Sequence, residues 1–289
     1  MRRVLMFLLV TLTGCGSLPP GSGTASASVS LPWPEEGQSA VEVEGIGSLG
    51  VSGEQRPVPI ASVTKIMTAH VILGRHPLAP GDDGPLITVD AAAAEESHTR
   101  VESTAPVREG QRIRLRHALE LMLVPSGNNV ARLLARWEAG SQERFVGRMN
   151  AAARRLGMDD TRYTGASGNE DSTVSTAADQ LILARKAMAD PVFREVVAGT
   201  HTVVPGEGRS LPNTNTLLGR DGVIGVKTGS GTVAGGNLVW ASRVRGRLVL
   251  GVILGQATGA GPAAAKAAVL DQGAKMSAAV ARWLRERGR

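Results

Sequence analysis

A serine and a lysine three residues apart, Ser62 and Lys65 in the run Ala61-Ser-Val-Thr-Lys-Ile-Met-Thr68, can do nucleophilic chemistry without histidine. Helical neighbours at i and i+3 sit about 5–6 Å apart at Cβ, so an uncharged Lys65 can take the proton from Ser62 as its hydroxyl attacks a carbonyl. The reaction class is acyl transfer. Lysine is not the default cation of this chain, which holds 27 arginines and 5 lysines. Arginine keeps its proton in proteins, whereas lysine loses it when buried or beside another cation. In a chain of this composition Ser-x-x-Lys arises by accident about 0.3 times, so the spacing needs support.

Two further motifs supply it. Ser126-Gly127-Asn128 follows Pro125, which ends the preceding helix, so this serine and asparagine fall on a turn between helices, where side chains can point into a cleft. Lys227-Thr228-Gly229 ends a predicted strand, and Gly229 has no side chain to keep a substrate backbone away. Chance occurrences of these two motifs are about 0.06 and about 0.04. The five histidines, His70, His76, His98, His117 and His201, show neither His-x-x-x-His nor His-x-His spacing for a metal. There is no Gly-x-Ser-x-Gly elbow and no phosphate-binding glycine loop. Neither metal nor other cofactor is expected.

The elements that must position these groups can be read from periodicity. The helix from Ser62 through Leu73 is apolar on most sides and is predicted to run inside the domain. Helical spacing dominates residues 115–190: Leu115 to Val124, Asn129 to Trp137, Gln142 to Leu156, and Ala177 to Met188 behind a Thr176-x-x-Asp179 capping box. Val41 to Ser52 reads as a hairpin, and strands are predicted over Val223 to Lys227, Asn237 to Arg243 and Arg247 to Gly255. A last helix, Ala263 to Arg287, carries Leu270, Ala274, Ser277, Ala281 and Leu284 on one face and is expected to lie on the sheet. The class is α+β, with one antiparallel sheet drawing strands from both ends of the chain and an all-helical subdomain between.

Outside this domain the N-terminus has its own logic. Met1-Arg-Arg3, an apolar run from Val4 to Leu12 and Thr13-Gly14 make a signal peptide over residues 1–14. Cys15, the only cysteine, follows Leu12-Thr13-Gly14, which resembles the lipobox of bacterial lipoproteins; the likeness implies lipidation of Cys15 and export to the outer face of the cytoplasmic membrane. Residues 15–38 are dense in Gly, Ser, Pro and Ala and are expected to tether a catalytic domain over 39–289. One cysteine excludes disulfides. The formal charge of +6 does not indicate nucleic acid, because one tyrosine and three scattered phenylalanines give no stacking platform. An arginine-rich solvated surface accounts for the charge, and attraction to anionic envelope polymers is the alternative.

Ser-x-x-Lys, Ser-x-Asn and Lys-Thr-Gly in this order resemble the motifs of penicillin-binding proteins and serine β-lactamases. The stretches ASVTKIMTA, LMLVPSGNNVA, RMNAAARRLGM, VSTAADQ, NTNTLL and GVKTGSGTVAGGNLVWAS narrow the likeness to the low-molecular-mass penicillin-binding proteins, the serine-type D-alanyl-D-alanine carboxypeptidases of peptidase family S11, over residues 40–289. The resemblance implies a β-lactamase/transpeptidase-like fold and removal of the terminal D-alanine from peptidoglycan stem peptides, with β-lactams as covalent inhibitors and the chain acting as a monomer. It implies Ser62 as nucleophile, Lys65 as base and Ser126 as proton relay. Lys227, kept protonated, and Thr228 would hold the substrate carboxylate; Gly229 would admit the substrate; Asn128 would contact the peptide or orient Lys65. The N–H groups of Ser62 and Ser230 would form the oxyanion hole. Two positions depart from the family pattern: Ser230 after Lys-Thr-Gly, where histidine or an aromatic residue is common, and Thr173-Val174-Ser175, where His-Tyr-Ser is common. A class A-like β-lactamase and a catalytically idle peptidoglycan-binding lipoprotein are the alternatives. The first needs Glu-x-x-Leu-Asn after the second motif; Glu170 lies in that region but is followed by Asp-Ser-Thr-Val.

Overall fold

The apolar runs at the end of the sequence and the hairpin near its start meet in one sheet. In the computed structural model, which describes residues 29–287, the chain begins with β1 (Gln38–Val43), β2 (Gly47–Ser52), β3 (Val58–Pro59), a 3-10 turn at Ala61–Thr64 and α1 (Lys65–Arg75). β4 (Leu86–Thr88), α2 (Ala91–Glu96), β5 (Arg112–Arg114), α3 (Leu115–Leu123), α4 (Asn128–Ala139) and α5 (Gln142–Leu156) follow. Then come β6 (Val174–Ser175), α6 (Ala177–Met188), α7 (Pro191–Ala198), β7 (His201–Val203) and β8 (Ser210–Pro212). β9 (Val223–Gly231), β10 (Gly235–Val244), β11 (Arg247–Gln256) and α8 (Pro262–Glu286) complete it. The main sheet is antiparallel with order β2-β1-β11-β10-β9.

Both faces of this sheet are covered, which is why β10 is buried along almost its whole length. Alternation sorts its side chains. Leu238 and Trp240 face a core shared with Val269, Met276 and Val280 of α8, while Val239 and Ala241 face the larger core built with Ile66 of α1, Leu119 of α3 and Leu134 of α4. The first of these cores lies behind the sheet, and the second joins it to the helical subdomain.

The helices start where their caps dictate. Ser141 accepts from the Arg144 N–H and Gly157 ends α5 in the left-handed region; Thr176 accepts from the Asp179 N–H, as its capping box predicts. α7 was not anticipated, although Asp190 caps it and Pro191 occupies its first position.

Two expectations change. The tether does not run to residue 38: Leu31 is buried against the α8 side of the sheet, and Gln38, 2 % exposed, donates to Arg56 O and accepts from Ala177 N–H. Gln38 opens β1, and the apolar residues Leu31 and Trp33 follow the Gly/Ser-rich stretch closely enough to dock. The buried face of α8 holds the expected Ser277, Ala281 and Leu284 but runs on through Ala265, Val269, Gly273, Met276 and Val280, leaving Leu270 and Ala274 only partly covered. An alanine-rich helix offers several faces of similar apolarity, so pattern alone placed the stripe a fraction of a turn away. Among the described residues no helix is long and apolar enough to cross a membrane. The signal-peptide and Cys15 expectations lie outside the described residues.

Candidate active site

Three elements converge on the first motif. Ser62 sits in the 3-10 turn that leads into α1, so Lys65, the first residue of α1, lies one turn further on beside it. Their spacing places Lys65 Nζ 2.9 Å from Ser62 Oγ. Ala61, just before the nucleophile, has φ of 46°, a left-handed conformation that a non-glycine residue adopts at a cost of about 1–3 kcal/mol. Ser126, on the α3–α4 turn, has φ of 71° and is 4 % exposed. Strain of this kind is held by the packing around it and is common where side chains are aimed for chemistry.

Lys65 is completely buried and its Nζ has two further neighbours, Asn128 Oδ1 at 2.5 Å and Ser167 O at 2.7 Å. Burial first, then the positive charges of Lys227 and Arg132, hold its pKa well below the ordinary lysine value, against the opposing pull of Glu102 and Glu170. Lys227 is thus the leading charge acting against the Lys65 proton, with burial as the larger cause. Asn128 therefore contacts Lys65 directly, and its Nδ2 donates to Glu102 Oε2 at 2.7 Å.

The third motif lies along β9, the sheet edge that faces the Ser62 turn. Gly229 is required there, because a Cβ on it would stand 2.8 Å from Ile60 O, 3.0 Å from Ser62 N and 3.1 Å from Val63 N. This close approach puts Ser230 beside the nucleophile's turn. Lys227 is 1 % exposed and donates to Thr228 O at 3.0 Å and to Thr214 Oγ1 at 3.5 Å. Thr228 Oγ1 donates to Thr214 Oγ1 at 2.7 Å. Burial, helped by Lys266, lowers the Lys227 pKa to about 7. Lys227 is thus not firmly protonated in the free protein at neutral pH, which revises the expectation drawn from the resemblance.

The departure at Thr173-Val174-Ser175 finds a local role. Thr173 Oγ1 accepts from Thr164 N–H at 2.9 Å, and Ser175 Oγ accepts from Gln180 Nε2 at 3.0 Å, so the first ties the approach to β6 to the segment after α5 and the second ties β6 to α6. Glu170 is turned toward Gly165, on which a Cβ would stand 2.0 Å from Glu170 Oε2. It lines a cleft with Gln142, Val146 and Asn150 of α5. Its Oε2 is buried without a hydrogen-bond partner, and its charge acts on Lys65.

Sequence reading missed Glu102, Arg132, Thr214 and the Ser167 carbonyl. Arg132 is four residues after Asn128 on the same helix face, a signal that spacing offers once α4 is placed. Glu102 lies in an irregular segment between α2 and β5, where no periodicity announces which side chain turns inward.

A buried lysine on a serine hydroxyl, a second serine on a strained turn and a lysine-bearing strand edge define a serine enzyme of the acyl-transfer class. Comparison with known proteins agrees. The model of the D-alanyl-D-alanine carboxypeptidase family, peptidase family S11, matches residues 49–258. The D-alanyl-D-alanine carboxypeptidase of Streptomyces sp. (strain K15) is 34% identical over 209 residues, 67% of this chain and 71% of that protein. DacB2 of Mycobacterium tuberculosis, also a D-alanyl-D-alanine carboxypeptidase, is 32% identical over 212 residues, 71% of this chain and 69% of its own length. The crystal structure of the Streptomyces K15 DD-transpeptidase superposes with a TM-score of 0.75 at 28% identity, covering 87% of this chain and 98% of that one. The chain belongs to the D-alanyl-D-alanine carboxypeptidase family: it is a low-molecular-mass penicillin-binding protein and a serine peptidase, with the α+β transpeptidase fold.

Proposed function

We propose that this protein removes the terminal D-alanine from peptidoglycan stem peptides through an acyl-enzyme on Ser62. The observation that carries the assignment is the 2.9 Å approach of Lys65 Nζ to Ser62 Oγ, with burial and nearby cations holding the Lys65 pKa well below the ordinary lysine value and so favouring the neutral amine. A neutral amine has two N–H groups and one lone pair. The amide oxygen of Asn128 and the carbonyl of Ser167 can only accept, so they take the two N–H groups and leave the lone pair for the Ser62 proton.

From this arrangement the steps follow. Ser62 Oγ adds to the carbonyl of the penultimate D-alanine while its proton passes to Lys65. The N–H groups of Ser62 and Ser230 stabilise the oxyanion, the contribution usually worth most in such reactions. Ser126 relays a proton to the departing D-alanine amine. The C–N bond breaks, the Ser62 ester forms, and water returns the acid and the free hydroxyl. Lys227, with the Thr228–Thr214 hydroxyl pair beside it, receives the terminal carboxylate, whose charge raises the Lys227 pKa and fixes its proton there.

The N-terminal sequence supports an exported protein, with lipid on Cys15 holding the domain at the outer face of the cytoplasmic membrane. The reading also makes β-lactams covalent inhibitors on Ser62 and the protein a monomer. Mass spectrometry of a D-Ala-D-Ala pentapeptide after incubation tests the activity: loss of one alanine is expected, and an unchanged peptide refutes it. A fluorescent penicillin must label wild type and leave Ser62→Ala unlabelled.

A further inference from the structure

Behind Lys65 lies a chain of charged groups that the three motifs do not include. Glu102 Oε2 accepts from Asn128 Nδ2 at 2.7 Å and from Arg132 Nη2 at 2.6 Å, and its Oε1 accepts from Arg132 Nη1 at 2.9 Å. Arg132 Nη1 also donates to Glu96 Oε2, at the end of α2, at 2.7 Å. The Glu102 and Arg132 side chains are 10% and 12% exposed, so this fork is largely removed from water and its charges are weakly screened. Asn128 and Arg132 stand one turn apart on α4, and Glu102 bridges them from the segment after α2.

We propose that Glu102 is a positioning residue for the catalytic base: clamped by Arg132, it fixes the Asn128 amide with Oδ1 toward Lys65, and its charge, set against that of Arg132, tunes Lys65. The assignment rests on the Ser62–Lys65 reading above.

The geometric half follows from the two ends of one amide. A flipped Asn128 would turn Oδ1 onto the Glu102 carboxylate and its N–H groups onto Lys65. The first contact sets acceptor against acceptor and forfeits a buried hydrogen bond, and the second aims an N–H at the lone pair that Lys65 needs for the Ser62 proton. With Glu102 present, only one orientation satisfies both neighbours.

The electrostatic half follows from the charges that face Lys65. They are Lys227 from β9, Arg132 from α4, Glu102 from the segment between α2 and β5, and Glu170 from the segment between α5 and β6. Glu102 favours the protonated amine and Arg132 disfavours it. Because they are paired with each other, removing one leaves the other acting alone on Lys65, so the two removals must move it in opposite directions.

The test is the second-order rate of acylation by a fluorescent penicillin, measured against pH with the purified full chain. The acid limb of the wild-type profile marks deprotonation of Lys65. Glu102→Gln keeps an acceptor for Asn128 but drops the charge, so its acid limb moves to lower pH by about half a unit or more. Arg132→Met drops the opposing charge, so its limb moves to higher pH. Glu102→Ala removes the acceptor too, and its plateau rate falls about tenfold through loss of orientation. Thermal melting identifies a variant that fails to fold, and the two remaining variants then carry the test. Limbs that coincide with wild type, or that move together, overturn the electrostatic half; a Glu102→Ala plateau equal to wild type overturns the geometric half. An unlabelled wild type overturns the acyl-enzyme reading itself, so the two failures are distinguishable.

Discussion

Gly229→Ala tests whether the strand edge and the nucleophile's turn are set by contact. The added methyl would meet Ile60 O at 2.8 Å, Ser62 N at 3.0 Å and Val63 N at 3.1 Å, whereas ordinary contact begins at 3.4 Å. All three atoms belong to backbone, so no side chain can swing aside. β9 must therefore recede from the Ser62 turn by about 0.6 Å, a local overpacking that costs about 1–3 kcal/mol of stability and lowers the melting temperature by several degrees. The receding strand carries Lys227, Thr228 and Ser230 with it. Since a misplacement of about 1 Å costs about 100-fold in rate, acylation by a fluorescent penicillin should slow by about 10- to 100-fold. Gly231→Ala is the control: its methyl would meet Ala234 Cβ at 3.5 Å and Ala234 N at 3.9 Å, both ordinary contacts, and acylation should stay within about threefold of wild type. Wild-type acylation by Gly229→Ala, or an equal loss in Gly231→Ala, would refute the reasoning.

Lys65→Arg places a cation that cannot lose its proton on Ser62; acylation should fall by at least about 1,000-fold, and residual labelling above that level counts against Lys65 as base. Lys227, at about 7 in the free protein, carries its proton below that pH and loses it above. The kcat/KM for a carboxylate-terminated peptide should therefore fall as pH rises through about 7. In kcat, measured with the carboxylate bound, the same limb should move to higher pH; a limb at the same pH in both would show that the carboxylate does not bind there. Cys15→Ser should release the protein from the membrane fraction on cell fractionation, and a variant that stays with the membrane would exclude the lipid as its anchor.

Legibility in the sequence followed the strength of the local signal. α5 and α6 were readable to the residue because Ser141 and Thr176 cap them and the apolar period is regular. β9 was read as ending at Lys227 but continues to Gly231, because Thr-Gly-Ser-Gly reads as a turn when nothing shows that β10 pairs with it through Gly235. The catalytic groups were legible as motifs, since the chemistry limits which residue types can stand at each spacing. Their supporting groups were not. Thr214 meets Lys227 and Thr228 only because the β8–β9 connection folds back on the sheet edge, and Glu102 meets Asn128 across an irregular segment. Long-range polar contacts of this kind leave no period to detect.

The two buried lysines divide the labour because their surroundings differ. Lys65 faces Lys227 and Arg132, and both charges act on it in addition to its burial. Lys227 is buried to the same degree, but the charge acting on it is that of Lys266. Both pKa values are lowered, and a neutral Lys65 exerts no repulsion on a charged Lys227. An arriving carboxylate then favours the charged form of Lys227, and a fully charged Lys227 disfavours protonation of Lys65 still further. Substrate binding at the strand edge in this way reinforces the free base at the nucleophile. Two arginines could not do this, because neither would release a proton; that is the physical reason for lysine at these two positions in a chain where arginine outnumbers lysine 27 to 5.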